Sequence, residues 1–131
     1  MQFTLEHIAL PARNPAALRD WYVRHLDATV IAPNGAEPPY FVKLPGVGTT
    51  FEVYAATGQT PQTADNGVAG WRHLALRVDS IEAARPLLEA RGVRFLDPMK
   101  PAAGGGRVLF FQDGESNLLH LVERPANSLF A

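Results

Sequence analysis

His7-Ile8-Ala9-Leu10 and His73-Leu74-Ala75-Leu76 write one motif twice: histidine, aliphatic residue, alanine, leucine. The copies stand 66 residues apart, from position 7 to position 73. Each half also contains a later apolar stretch with one polar residue inside it. These are Phe51-Glu52-Val53-Tyr54 and Leu119-His120-Leu121-Val122, 68 residues apart from position 52 to position 120. The chain is therefore read as two copies of one unit, each offering two candidate metal ligands. Placed equivalently, His7, Glu52, His73 and His120 predict four ligands around a pseudo-twofold axis.

Working outward, the first half begins with an alternating stretch, Phe3 to Leu10, expected as a strand. Asn14-Pro15 reads as a helix cap followed by proline at the first helical position. Leu18, Trp21, Tyr22 and Leu26 then give an apolar stripe at helical spacing. Strands are expected over Ala28–Ala32, closed by Pro33-Asn34-Gly35, over Tyr40–Leu44, and over Thr49–Ala55. Thr57 to Gly70 is polar and aperiodic and reads as a linker.

The second half repeats the order. A strand is expected over Trp71–Val78 and a helix from the capping-box spacing Asp79–Glu82 to Arg91, stopped by Gly92. Pro86 is expected to kink that helix or make its first half irregular. A short strand at Val93–Leu96 is followed by a loop, Pro98–Gly106, read as a flexible pocket rim. The last strands are Arg107–Gln112 and Leu118–Glu123, joined by a turn at Asp113–Asn117. From Pro125 the chain reads as a loose tail or a dimer-contact arm. The fold class is α+β: two tandem βαβββ modules, 1–60 and 68–125, in one domain spanning 1–131, forming a curved mixed sheet around a metal-binding pocket.

Strand alternation assigns the faces. Ile8 and Leu10, Phe51 and Val53, Leu74 and Leu76, and Leu119 and Leu121 suit a helix-packed side. The opposite side carries His7, Glu52, His73 and His120, with Thr50, Tyr54, Trp71 and Arg77 as candidate substrate-binding neighbours. A single strand histidine is more often an ordinary hydrogen-bonded interior residue. Here three of the four histidines occupy repeat-equivalent positions with Glu52. His25, on the helix with no repeat partner, is read as structural.

Composition narrows the chemistry. With no cysteine, disulfides, zinc–thiolate sites, iron–sulfur clusters and thiol nucleophiles are excluded, so a metal must be held by nitrogen and oxygen. A net charge of −1 gives no general attraction to nucleic acid or to an anionic membrane. The first residues lack the pattern of a signal peptide, and a cytoplasmic protein with no membrane partner is expected. Gly104–Gly106 lacks the following helix and lysine of a phosphate loop.

The chain resembles the vicinal oxygen chelate superfamily, which includes glyoxalase I, methylmalonyl-CoA epimerase, extradiol dioxygenases, fosfomycin-resistance transferases and bleomycin-binding proteins. The resemblance covers essentially the whole chain. It rests on the paired modules, the two histidine motifs, and the closing segment Phe110-Phe111-Gln112-Asp113-Gly114-Glu115-Ser116-Asn117-Leu118-Leu119-His120-Leu121. It implies metal ligands from the first and last strands of both modules: His7, Glu52, His73 and His120. The departure is His120, where glyoxalase I has glutamate. That leaves Glu52 as the one carboxylate expected at the centre. The resemblance also implies a homodimer whose metal sites are within one chain or shared between two.

Three functions fit this reading. The first is a metal-dependent lyase or isomerase of the glyoxalase–epimerase kind. One divalent ion per site (Ni, Zn, Co, Mn or Fe) would chelate a small oxygen-bearing substrate while Glu52 moves a proton next to a carbonyl. The second is a non-haem iron dioxygenase using the two-histidine, one-carboxylate set His7, His73 and Glu52. The third is a non-catalytic, resistance-type protein holding a small molecule on aromatic walls.

Overall fold

Asn14 begins the first helix as its sequence demands. Its side chain accepts from the Ala17 N–H at 3.0 Å, and Pro15 follows where a backbone donor is not needed. The computed structural model describes residues 1–31, 36–58, 64–128 and 130. The expected turn Pro33-Asn34-Gly35, Ala32 of the second strand, and residues 59–63 of the expected linker lie outside these. The contacts divide the chain into two units, Met1–Thr60 and Pro61–Ala131.

The first unit comprises β1 (His7–Ala12), α1 (Pro15–Leu26), β2 (Thr29–Val30), β3 (Tyr40–Lys43) and β4 (Thr50–Ala55). Its sheet has the order β1-β4-β3-β2, with β1 and β4 parallel and the other pairs antiparallel. The helix ends at Asp27, which adopts a left-handed conformation (φ 54°). Leu18, Tyr22 and Leu26 are the buried residues of α1. On the sheet, Val42, Phe51 and Val53 are buried, and the rings of Tyr22 and Phe51 lie 5.8 Å apart. Burying such side chains contributes about 1.5–3 kcal/mol each. His25, on the same helix, contacts the Trp21 carbonyl and stacks on the Trp21 ring, in keeping with a structural role.

The second unit comprises β5 (His73–Arg77), α2 (Ile81–Ala90), β6 (Phe95–Pro101), β7 (Arg107–Gln112) and β8 (Leu118–Glu123). Its sheet order, β5-β8-β7-β6, reproduces the first with β5 and β8 parallel. Thus the α+β class and the doubled βαβββ order are present, each unit carrying its own four-stranded mixed sheet. Ile81, Leu109, Phe111, Leu119 and Leu121 are fully buried. The turn between β7 and β8 is built on Asp113, whose Oδ1 accepts from the N–H groups of Glu115 and Asn117.

Several boundaries differ from the sequence expectation. β1 begins at His7, not Phe3, and Phe3 and Leu5 are exposed. α2 is capped by Ser80, whose hydroxyl accepts from Ala83 N–H. Glu82 does not complete a capping box; it pairs with Arg107. A bidentate guanidinium is the stronger partner for a carboxylate. α2 runs through Pro86, whose missing N–H deprives the Glu82 carbonyl of its helical donor. The expected loop Pro98–Gly106 is strand as far as Pro101, because a register shift between Leu96 and Lys100 absorbs Pro98 within β6. The segment after Pro125 is not a free arm throughout: Phe130 is held by Arg77 and Arg124. No helix among the described residues is long and apolar enough to cross a membrane.

Candidate metal centre

Each unit brings one first-strand histidine beside one last-strand ligand, in the same register. In the first, His7 pairs with Thr50 and Ala9 with Glu52. In the second, His73 pairs with Leu118 and Ala75 with His120. Glu52 and His120 therefore hold corresponding places, each level with the residue two positions beyond its motif histidine. Alternation puts His7 and Glu52 on one face, and His73 and His120 on one face, away from the helix-packed leucines and phenylalanines.

His7 Nε2 stands 3.3 Å from Glu52 Oε2. On its other side, His7 Nδ1 contacts the Glu6 carboxylate at 2.5 Å. With Nδ1–H donating to Glu6, the Nε2 lone pair faces a carboxylate oxygen. A cation placed between two such acceptors is attracted to both. Two ligand atoms bound about 2.1 Å from one metal at a tetrahedral angle stand about 3.4 Å apart, close to the spacing present.

His73 and His120 have ring centroids 4.5 Å apart. Phe110, directly across from His120 in the β7–β8 register, places its ring 4.8 Å from His120 and 5.7 Å from His73. His73 Nδ1 is bonded to Asn66 Oδ1 at 2.7 Å. A neutral imidazole that donates from Nδ1 keeps its lone pair on Nε2, the usual way an outer partner fixes a ligating tautomer. His120 is only 7 % exposed, and its Nδ1 is buried without a hydrogen-bond partner. An unmet buried polar atom costs about 1–3 kcal/mol, which a ligand interaction would offset. Burial first, then the neighbouring His73 and Arg124, push the His120 pKa down to about 4, so this ring is neutral near pH 7. Neutral imidazole is the form that binds metals. Within each unit, the pair His7–Glu52 and the pair His73–His120 thus offer donor atoms of the kind a divalent ion binds. Among the described residues, no group of three or more histidine, aspartate or glutamate side chains forms a ready ligand cluster.

The other expected site residues fare differently. Thr50 and Tyr54 lie in β4 on the Glu52 face and are half-buried. Arg77 ends β5 on the His73 face, and its Nη1 donates to the Phe130 carbonyl. Trp71 precedes β5 and is 96 % exposed, so strand alternation does not place it on that face. Glu6, Asn66 and Phe110 were missed by the sequence reading. Phe110 was open to discovery by parity, because its neighbour Phe111 is core. Asn66 carried no signal, since it reaches His73 from the polar stretch read as a linker.

Residues 4–121 match the family described as the Glyoxalase/Bleomycin resistance protein/Dioxygenase superfamily. The chain belongs to this superfamily. No curated protein matches it. A glyoxalase family protein from Enterococcus faecalis shares 25% identity and superposes with a TM-score of 0.72, covering 92% of this chain and 97% of that one. TnmS3, an antibiotic binding protein from Streptomyces sp. CB03234, is 21% identical with a TM-score of 0.67, covering 95% and 98%. A variant of the fosfomycin resistance protein FosX from Listeria monocytogenes, complexed with Mn(II) and 1S,2S-dihydroxypropylphosphonic acid, is 21% identical. Its TM-score is 0.66, with 96% and 94% covered. These likenesses place the chain within the superfamily's fold.

Proposed function

We propose that this superfamily member is a metal-dependent lyase or isomerase of the glyoxalase–epimerase kind. His7, Glu52, His73 and His120 are its ligands for a divalent ion, and Glu52 is its base. The observation that carries the reading is the matched register. Two modules of different sequence set Glu52 opposite Ala9 and His120 opposite Ala75, each beside its motif histidine. Core packing alone gives no reason for two polar residues to recur there.

A bound divalent ion supplies Lewis acidity toward a substrate carbonyl. Glu52 would take a proton from the adjacent carbon and return one to the substrate, so that no net proton is gained or lost. It is the one carboxylate in the proposed set and stands within reach of His7. Thr50 and Tyr54 flank it and orient substrate oxygens through their hydroxyls. Phe41, opposite Glu52 in β3, and Phe110, opposite His120 in β7, line the same faces and limit water. Arg77, on the His73 face, extends the substrate wall. Asn66 holds the His73 tautomer.

The test combines elemental analysis after reconstitution with a screen of α-hydroxy and α-keto carbonyl compounds in deuterated water. Deuterium entering the product supports proton transfer. A strict requirement for dioxygen with iron bound replaces this reading with the dioxygenase one. The aromatic rings Phe41, Tyr54 and Phe110 favour one second reading, small-molecule sequestration without turnover. Tight binding of an aromatic ligand by protein stripped of metal would establish it. The assembly we propose is a homodimer; light scattering showing a metal-loaded monomer at micromolar concentration refutes it.

A further inference from the structure

We infer that Arg77 and Arg124 form an oxyanion clasp that takes the carboxylate or phosphate-type group of a small organic anion. Both guanidinium groups converge on one residue. Arg77 Nη1 donates to the Phe130 carbonyl at 2.7 Å, while the Arg124 guanidinium lies 4.3 Å over the Phe130 ring. Arg124 Nη1 also donates to the carbonyls of Ala103 and Gly105, each at 2.6 Å. Among the described residues, every oxygen partner of these two arginines is a neutral carbonyl.

The contrast within the same unit is sharp. Arg85 pairs with Glu89 and Asp97, and Arg107 pairs with Glu82 and Glu123. Those arginines have their charge answered by carboxylates; among the described residues, Arg77 and Arg124 do not. Arg77 at the carbonyl and Arg124 at the ring bring two like charges to one residue, and an anion placed between them relieves their repulsion. An oxyanion offers a guanidinium charge–charge attraction and bidentate geometry that a neutral carbonyl does not. The Phe130 carbonyl thus occupies the position an anionic oxygen takes, and Phe130 is 58 % exposed.

The surroundings are shaped for this close approach. A Cβ on Gly104 (φ +80°) would stand 2.6 Å from the Phe130 ring, so only glycine leaves room for it. Position matters as well. Arg77 lies two residues beyond Ala75, the strand partner of His120. That is about 7 Å along the strand. A molecule of a few carbon atoms spans from the histidine pair to the clasp. Identifying this anion as part of the substrate rests on the function proposed above; anion binding itself does not.

The test uses the full chain, freed of metal by chelation, with inorganic phosphate and acetate as probes. Backbone amide shifts of Gly104, Gly105 and Phe130 report binding. Saturable shifts are expected with at least one probe. Arg77→Met and Arg124→Met should each weaken binding about tenfold or more, the scale of one charged hydrogen bond. Arg77→Lys and Arg124→Lys, which keep the charge and stem, should lose less. Deleting residues 129–131 should tighten binding several-fold by removing the competing carbonyl, and Lys43→Met, an exposed change in β3, should leave it unchanged. Preference for acetate assigns a carboxylate, and preference for phosphate assigns a phosphate-type group. The clasp is overturned if neither probe saturates even in the shortened chain, or if both methionine variants bind like wild type. Probe binding without divalent-metal binding would retain the clasp and refute the metal-dependent function; the reverse result would do the opposite.

Discussion

The imidazoles of His73 and His120 lie 4.5 Å apart on neighbouring parallel strands, beneath the ring of Phe110. One is oriented by Asn66, and the other is buried with Nδ1 unmet. Two imidazoles so close are well suited to share a cation. Several measurable consequences come from this pair and its counterpart, His7 and Glu52.

Metal affinity should depend on both modules. His7→Ala and His73→Ala are each expected to weaken binding of a divalent ion by about tenfold or more, as loss of a direct ligand removes more than loss of an outer partner. Competition with a chromophoric chelator measures this. Wild-type affinity in both variants would remove the two histidines from the site.

Glu52→Gln keeps the shape and one oxygen donor while removing the proposed base. It should retain much of the metal and lose the chemical step by roughly 100-fold or more, the scale of a positioned acid–base group. Single-turnover rates with the identified substrate are the readout. Near-normal turnover would exclude Glu52 as the base.

The metal-free protein should lose stability as pH falls from about 6.5 toward 4. Burial and neighbouring charge depress the His120 pKa from 6.5 to about 4 in the folded chain. Between those values the unfolded chain binds the proton and the folded chain does not. Acidification therefore favours unfolding, and stability rises with pH across this window. Urea unfolding at several pH values checks it. His120→Gln should flatten the slope; an unchanged slope would assign the effect elsewhere.

Gly106→Ala should be strongly destabilising. A Cβ there would stand 1.9 Å from the Glu123 carbonyl oxygen, at a backbone φ of +91°. Backbone must move at the end of β8, at a cost of about 3 kcal/mol or more. Gly48→Ala meets no atom within 4 Å and should change stability by less than about 1 kcal/mol. Thermal melts of the two variants compare them directly, and equal melting temperatures would contradict the close approach.

Much of the architecture was legible because its signals are local. Asn14-Pro15 announced α1, and the apolar runs at Arg107–Gln112 and Leu118–Glu123 gave the last two strands with their observed bounds. Repetition of His-x-Ala-Leu made the two modules comparable before any contact was known. Period-2 alternation then put His7 with Glu52 and His73 with His120 on their sheet faces. Other features depended on tertiary partners. Asp79 and Glu82 had capping-box spacing, yet Ser80 caps α2 while Glu82 pairs with Arg107. Pro98 spelled loop, yet the register shift in β6 accommodated it. Asn66 behind His73, Phe110 over both histidines, and Phe130 between two arginines are contacts between residues far apart in the chain or in irregular segments. Periodicity carries no information about such meetings. They are decided by strand register, by where buried polar atoms find partners, and by the room a glycine leaves, all of which exist only once the chain has folded.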